Sequence, residues 1–323
     1  MYFYILKMRL PGAVIPGMSQ AELMMQMGKN SLSGVEKVFF EKSGRKGWTT
    51  RVPYIVVSNF PSLGLLTSLR FLEWVAENPD GVISLPTGKT PEFFIKWTQR
   101  ILEGWNRPEI NKITRENGLS LKRKPDLRGL RFVQIDEFYP IDPKQHNSFY
   151  NYVLNYYIKG FGLDREKALL INTENIELPG GKHYKEIFPD FRIDTTLRHR
   201  EPLTPFERLQ QAAIFSIDNW CTGYENRIRE LGGIGFFLGG VGPDGHIAFN
   251  TRGTDHNSAT RLTPTNFETQ AAAAGDLGGI EISRSRLVIT IGLGTITSNP
   301  DGVSVIFAAG EAKSAVIRDA LEN

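Results

Sequence analysis

The side chains best suited to chemistry lie in Gly235–Asn250, GFFLGGVGPDGHIAFN. A short apolar run leads into a glycine-rich turn that ends on Asp244-Gly245-His246. Asp244, two residues before His246, is placed to orient the imidazole as a proton-transfer group. A structural histidine satisfied by backbone groups is the plainer reading of the same residues. Two further stretches carry matching chemistry. In Leu85–Pro91, LPTGKTP, a tight turn enters a helix, so free N–H groups, two hydroxyls and a lysine form an anion site. An ordinary capped turn uses the same residues. The spacing of a nucleotide-binding P-loop is absent despite the local GKT, which favours a single phosphate over a nucleotide. In Gln134–Pro140, QIDEFYP, Asp136 and Glu137 follow a buried strand. Acids there are costly unless solvated, hydrogen-bonded or functional. One of them could abstract a proton from a carbon beside a carbonyl, or cap a helix. Lys313, near the start of the last helix, adds a cation to the same face or is simply solvated.

Strands must end where these groups sit. Apolar and β-branched runs predict strands at Tyr54–Ser58, Gly81–Leu85, Leu130–Ile135, Ala168–Ile171, Ile234–Leu238, Leu287–Ile291 and Val303–Ala308. Helical spacing predicts helices at Leu63–Ala76, Pro91–Leu102, Asn147–Ile158, Pro205–Leu231 (with a break near Gly223) and Glu311–Leu321. The alternation predicts an α/β fold, an open, mainly parallel sheet with helices on both faces, Rossmann-like, with its ligand at the carboxyl ends of the strands. Residues 1–50 read as a partly flexible N-terminal extension. Residues 51–323 read as one α/β domain with an insertion near 172–204, rich in Pro, Gly, His and Arg. The opening MYFYILKMRLPGAVIPG is apolar but interrupted by charges and prolines. It reads as a disordered or docking arm, with Met18 as an alternative start of translation.

Bulk properties narrow the function classes. The chain has 323 residues, 41% hydrophobic and 23% charged, as in ordinary globular proteins. A net charge of +3 gives no reason to expect a nucleic-acid or membrane partner. The basic run Lys122–Arg131 reads as a solvated loop before a strand. The single cysteine, Cys221, excludes an intramolecular disulfide and reads as a core thiol on a helix. The five histidines show no metal-ligand spacing, so neither a metal nor a cofactor is expected. No apolar run has the length of a membrane helix, and the cytoplasm is the default compartment. Homo-oligomerisation stays open.

Taken together, the three stretches resemble the glucosamine-6-phosphate deaminase family, within a wider group that includes the 6-phosphogluconolactonases. LPTGKTP resembles the family's LPTGGTP phosphate loop. DEFYPIDPKQHNSFY resembles its Asp-Glu-Tyr segment, and GGVGPDGHIAFN resembles GGVGNDGHIAFN, differing only at Pro243. GLGTI and GEAKSA, around Lys313, also fit, and the match runs over about residues 54–321. Phe138 and the Ile-Ala-Phe after His246 side with the deaminases. The resemblance implies that His246, with Asp244, opens the pyranose ring of glucosamine 6-phosphate. Asp136 then moves a proton between C2 and C1, and water releases ammonia to leave fructose 6-phosphate. It further implies that Thr87, Gly88, Lys89, Thr90 and Lys313 hold the phosphate, and that Glu137, Gly242 and Asn250 belong to the substrate site.

The chain departs from the family in three places. Thr251 stands where the family has a glutamate that completes the ring-opening group. Gly275 aligns with its phosphate-binding arginine, and Lys89 is a candidate replacement for that charge, though a lysine is a point charge rather than a bidentate fork. The chain stops at Asn323, where the family normally continues. Arg261 resembles an effector-binding arginine of some relatives, without its companions. Three functions therefore stand: an amino-sugar-phosphate deaminase with altered ring opening, a related sugar-phosphate lactonase or isomerase, and a catalytically impaired sugar-phosphate-binding regulator.

Overall fold

A computed structural model describes residues 2–6, 32–48, 50, 52–277 and 279–322. Met18 and the amphipathic stretch Ala21–Met27 lie outside the described residues. In chain order the first half contains β1 (Tyr2–Leu6), α1 (Gly34–Lys42), β2 (Tyr54–Val57), α2 (Phe60–Glu77), β3 (Val82–Ser84), α3 (Glu92–Glu103), α4 (Pro108–Glu116), β4 (Arg131–Val133) and β5 (Asp136–Tyr139). Helix α5 (Phe149–Val153) continues as a π-helical turn, Leu154–Lys159. Then follow β6 (Ala168–Leu169), α6 (Tyr184–Ile187), α7 (Pro205–Glu230), β7 (Phe236–Gly240), β8 (Arg261–Pro264), α8 (Phe267–Leu277), α9 (Ile280–Ser285), β9 (Leu287–Thr290), α10 (Leu293–Thr297), β10 (Val303–Ala309) and α11 (Ser314–Glu322).

Among the described residues, seven strands form an open sheet in the order β2-β1-β10-β7-β3-β4-β6. The pairs β10–β7, β7–β3, β3–β4 and β4–β6 are parallel, as the alternation of strands and helices predicts. Strand β1 runs antiparallel to its neighbours, β10 and β2. Tyr2–Leu6, at the head of the stretch read as an arm, is therefore a strand of the sheet; the rest of that stretch lies outside the described residues. Tyr2–Leu6 alternates aromatic and aliphatic side chains, and it lies inside the sheet with Tyr4 fully buried. The Tyr4 hydroxyl donates to Glu36 at 2.8 Å, and Arg70 Nε reaches the same carboxylate oxygen at 3.0 Å. This buried charge network joins β1 to α1 and α2.

Local sequence sets the helix starts. Asn59 caps α2 through Ser62 N–H, and Thr204 caps α7 through Glu207 N–H just before Pro205. One apolar core packs α2 and α3 against the sheet through Leu66, Leu69, Phe71, Phe94 and Phe236. Each such side chain, fully buried, contributes about 1.5–3 kcal/mol. On the other face α7 brings Ile214, Ile217, Tyr224 and Ile228 into a second core. Helix α7 runs unbroken through Gly223. The region 172–204 is not a surface excursion, because Ile176, Tyr184, Ile187 and Phe188 are buried in that second core.

A second, three-stranded antiparallel sheet has the order β5-β9-β8. The strand expected at Leu287–Ile291 belongs here, and Asp136 opens a strand of its own instead of trailing β4. Gln134 makes the junction. Its side chain donates to Asp136 O at 2.8 Å and accepts from Ile171 N at 2.9 Å, which fills backbone positions where the chain changes sheets.

Candidate active site

A cavity of about 960 Å³ opens at the carboxyl ends of β3, β4 and β7. Thr87, Gly88, Lys89 and Thr90 form its first wall. Gly88 has φ +89°, a left-handed turn that glycine adopts without strain. The turn is braced from α5, where the Tyr152 hydroxyl donates to Gly88 O at 3.0 Å and the Tyr157 hydroxyl donates to Pro86 O. Pro91 sits just before α3 with no side-chain cap. Helix α3 therefore presents uncapped N–H groups to this end of the cavity. Lys89 is exposed, whereas Lys313 is half-buried and has no acid partner among the described residues. Burial pulls the Lys313 amine below its ordinary value.

Asp136 forms a second wall and is 7% exposed. Among the described residues no donor reaches its carboxylate. Desolvation, and then the charge of Glu137, hold its carboxyl well above the ordinary aspartate range. Glu137 has a different role. It is fully buried and does not line the cavity. Its carboxylate accepts from Ser148 Oγ and Tyr150 N at 2.7 Å, Phe138 N at 2.9 Å and Phe149 N at 3.1 Å. Glu137, expected in the substrate site, is instead seen anchoring the start of α5. Burial raises its carboxyl to about 7 against the pull of those donors.

The third wall is the glycine turn after β7. His246 Nδ1 lies 2.6 Å from Asp244 Oδ1, and both side chains are largely buried. Gly242 N–H donates to His246 O at 2.9 Å, and Gly245 turns at φ +93°. The imidazole occupies the space that any side chain at 242 would need. The Phe249 ring stacks on it at 5.7 Å between centroids and 13° between planes. The second sheet aligns this wall with the previous one: Thr290 of β9 pairs with Asp136 in register, and its Oγ1 accepts from Phe249 N at 3.1 Å. Asn250 does not line the cavity. Its amide donates to Ile247 O and Ile291 O and accepts from Arg261, so both Asn250 and Arg261 brace the turn.

Thr251 is not a cavity residue either. Helix α8 supplies the fourth wall through Thr269, Ala273 and Leu277, spaced one turn apart. Gly275 lies on the far side of that helix and is exposed, so the aligned position does not direct a side chain at the cavity. Two residues at the start of α8, Asn266 before it and Thr269 within it, carry no chemical signal in the sequence beyond capping. The Asn266 amide donates to Asp244 Oδ2, and Thr269 Oγ1 lies 3.5 Å from His246 Nδ1. Their signal was an Asn three residues before a Thr at a helix start, a capping pattern. Among the described residues no cluster of His, Cys, Asp or Glu could hold a metal ion, and no helix is long and apolar enough to cross a membrane.

No family model matches the chain. It is 26% identical over 250 residues to the glucosamine-6-phosphate deaminase of Bacillus velezensis, covering 77% of this chain and 79% of that protein. It is 30% identical over 174 residues to the glucosamine-6-phosphate deaminase of Caenorhabditis elegans, covering 54% of this chain and 63% of the relative. The fold matches a solved monomeric glucosamine-6-phosphate deaminase with a TM-score of 0.57 at 20% identity, over 81% of this chain and 84% of the other. At this modest identity, with the same open α/β architecture, the chain belongs to the glucosamine-6-phosphate deaminase superfamily.

Proposed function

We propose that the chain is an amino-sugar-phosphate isomerase with deaminating activity, converting glucosamine 6-phosphate and water into fructose 6-phosphate and ammonia. The observation that carries this reading is the unpartnered, desolvated carboxylate of Asp136 facing the same cavity as the Asp244–His246 pair. The phosphate sits at the Thr87–Thr90 turn and the start of α3, with Lys313 and Lys89 as cations. That remote contact positions the sugar carbons for reaction. Asp244 accepts from Nδ1–H and leaves Nε2 of His246 free to take the anomeric hydroxyl proton and pass it to the ring oxygen as the C1–O5 bond breaks. Asp136 then removes the proton from C2 of the open form and returns it to C1. A desolvated carboxylate is a stronger base than a solvated one, and the cationic amine of the incoming sugar offsets the cost of ionising it. The product imine at C2 adds water and expels ammonia.

The test gives purified protein glucosamine 6-phosphate and follows ammonia and fructose 6-phosphate. Saturable binding without ammonia would overturn the reading. It would favour a sugar-phosphate-binding protein, which the position of Thr251 outside the cavity supports. Hydrolysis of 6-phosphogluconolactone would favour a lactonase instead.

A further inference from the structure

We propose that Asn266 is a positioning residue for the proton-transfer pair, and that with Thr269 it takes the place that an acid beside the histidine would fill. The inference rests on the reaction proposed above. Thr251, where that acid is expected, does not line the cavity. The Asp244 carboxylate is instead held from both sides: Oδ1 faces His246 Nδ1 at 2.6 Å, and Oδ2 accepts from Asn266 Nδ2. Asn266 is itself fixed. Its Oδ1 accepts from Thr269 N at 3.0 Å, and its backbone carbonyl accepts from Gln270 N at 3.0 Å, so it is the cap of α8.

One amide therefore makes two bonds of different purpose. Its oxygen starts the helix, and its nitrogen orients the carboxylate that orients the imidazole. A neutral donor at this place binds one Asp244 oxygen without a competing charge and leaves the other to accept from His246 Nδ1. Because Thr269, Ala273 and Leu277 of the same helix line the cavity, the seating of α8 and the alignment of the pair are one event. In this chain the alignment of His246 is tied to a wall of the substrate site as well as to the loop that carries the histidine.

Asn266→Asp separates the two bonds. An aspartate caps α8 as well as asparagine does, but at pH 8 it offers Asp244 a like charge and no donor. The spectral arm records ¹⁵N shifts of the His246 ring in the ligand-free protein at pH 8, with His246→Gln to assign the signals. The unaltered protein should show the neutral Nδ1–H form, and Asn266→Asp should lose that single form while melting at an unchanged temperature. The kinetic arm should show kcat on glucosamine 6-phosphate falling about ten- to a hundredfold with KM within about twofold. Asn266→Ala, which also removes the cap, should add a loss of thermal stability. An unchanged ring spectrum in Asn266→Asp, or a raised KM with full kcat, would overturn the inference. If the unaltered protein does not turn over this sugar, the reaction reading fails by itself and the ring spectrum still decides the role of Asn266.

Discussion

A Cβ placed on Gly242 would lie 2.1 Å from Cε1 of His246. The glycine is therefore the histidine's seat, and its role is steric, not conformational. Gly242→Ala should displace the imidazole by about an ångström and lower kcat/KM by about a hundredfold. An alanine variant with normal turnover would show that the ring does not work from this position.

Asp136→Asn should abolish ammonia release, a loss of about 10²–10⁴-fold, while leaving sugar-phosphate binding in place. The base must be ionised to act. Since burial holds the Asp136 carboxyl well above the ordinary aspartate range, kcat/KM should rise with pH along a limb displaced upward from that range. A limb at the pH of a solvated carboxyl would assign the base elsewhere.

The same burial makes the fold sensitive to pH. Glu137 titrates at about 7 in the folded protein against an ordinary value of 4.5. Between those values the folded state holds a proton that the unfolded state has lost. The contribution is thus full below pH 4.5 and is lost as pH rises through about 7. Denaturant titrations should show stability falling across this window, by at most about 1.4 kcal/mol per pH unit for one proton. Asp136→Asn, which removes the neighbouring acid, should make the slope shallower. A stability that climbs with pH over this range would contradict the assignment.

Starting the chain at Met18 removes β1 from between β10 and β2. The truncated protein should lose its cooperative melt and elute as aggregates on size exclusion, because β10 is left as an unpaired edge. It also loses the Tyr4–Glu36 bond, so Glu36 and Arg70 remain buried with one donor fewer. A soluble truncation melting at the original temperature would show β1 to be dispensable.

Cys221 is 2% exposed on α7, and burial pushes its thiol up to about 12. A thiol reagent such as Ellman's should leave it untouched in the native protein and titrate one equivalent after denaturation. Rapid labelling of the folded protein would place the thiol at the surface.

Much of this architecture is written locally. The short apolar strands, the glycine turns after them and the periodic helices around Leu66 and Ile217 state their own structure over a few residues, so the parallel sheet and the two carboxyl-end loops are legible in the sequence. What is not legible depends on distant partners. Tyr2–Leu6 looks like an arm because Lys7 and the prolines beyond it end the apolar run. Its strand is defined by Val305–Ala309, at the other end of the chain. Asp136-Glu137 looks like a pair of polar loop residues, and only the pairing with β9 makes it a strand with one acid facing the cavity and one turned into α5. The wall from α8 is hidden for the opposite reason: its small side chains, Ala271–Ala274, carry little signal, and the donor to Asp244 is an asparagine whose capping role masks the second bond.

The place of β1 also bears on how the protein is made. Of the described strands, β1 is made before the others and β10 after them, yet the two pair, Tyr2 with Ala309 and Leu6 with Val305. Until β10 is synthesised, β1 can pair only with β2, and the centre of the sheet is open. Such a topology closes late and slowly, with aromatic strand edges exposed in the meantime. Yield in the cell should therefore depend more on holding the nascent chain apart from its neighbours than on the stability of the finished fold.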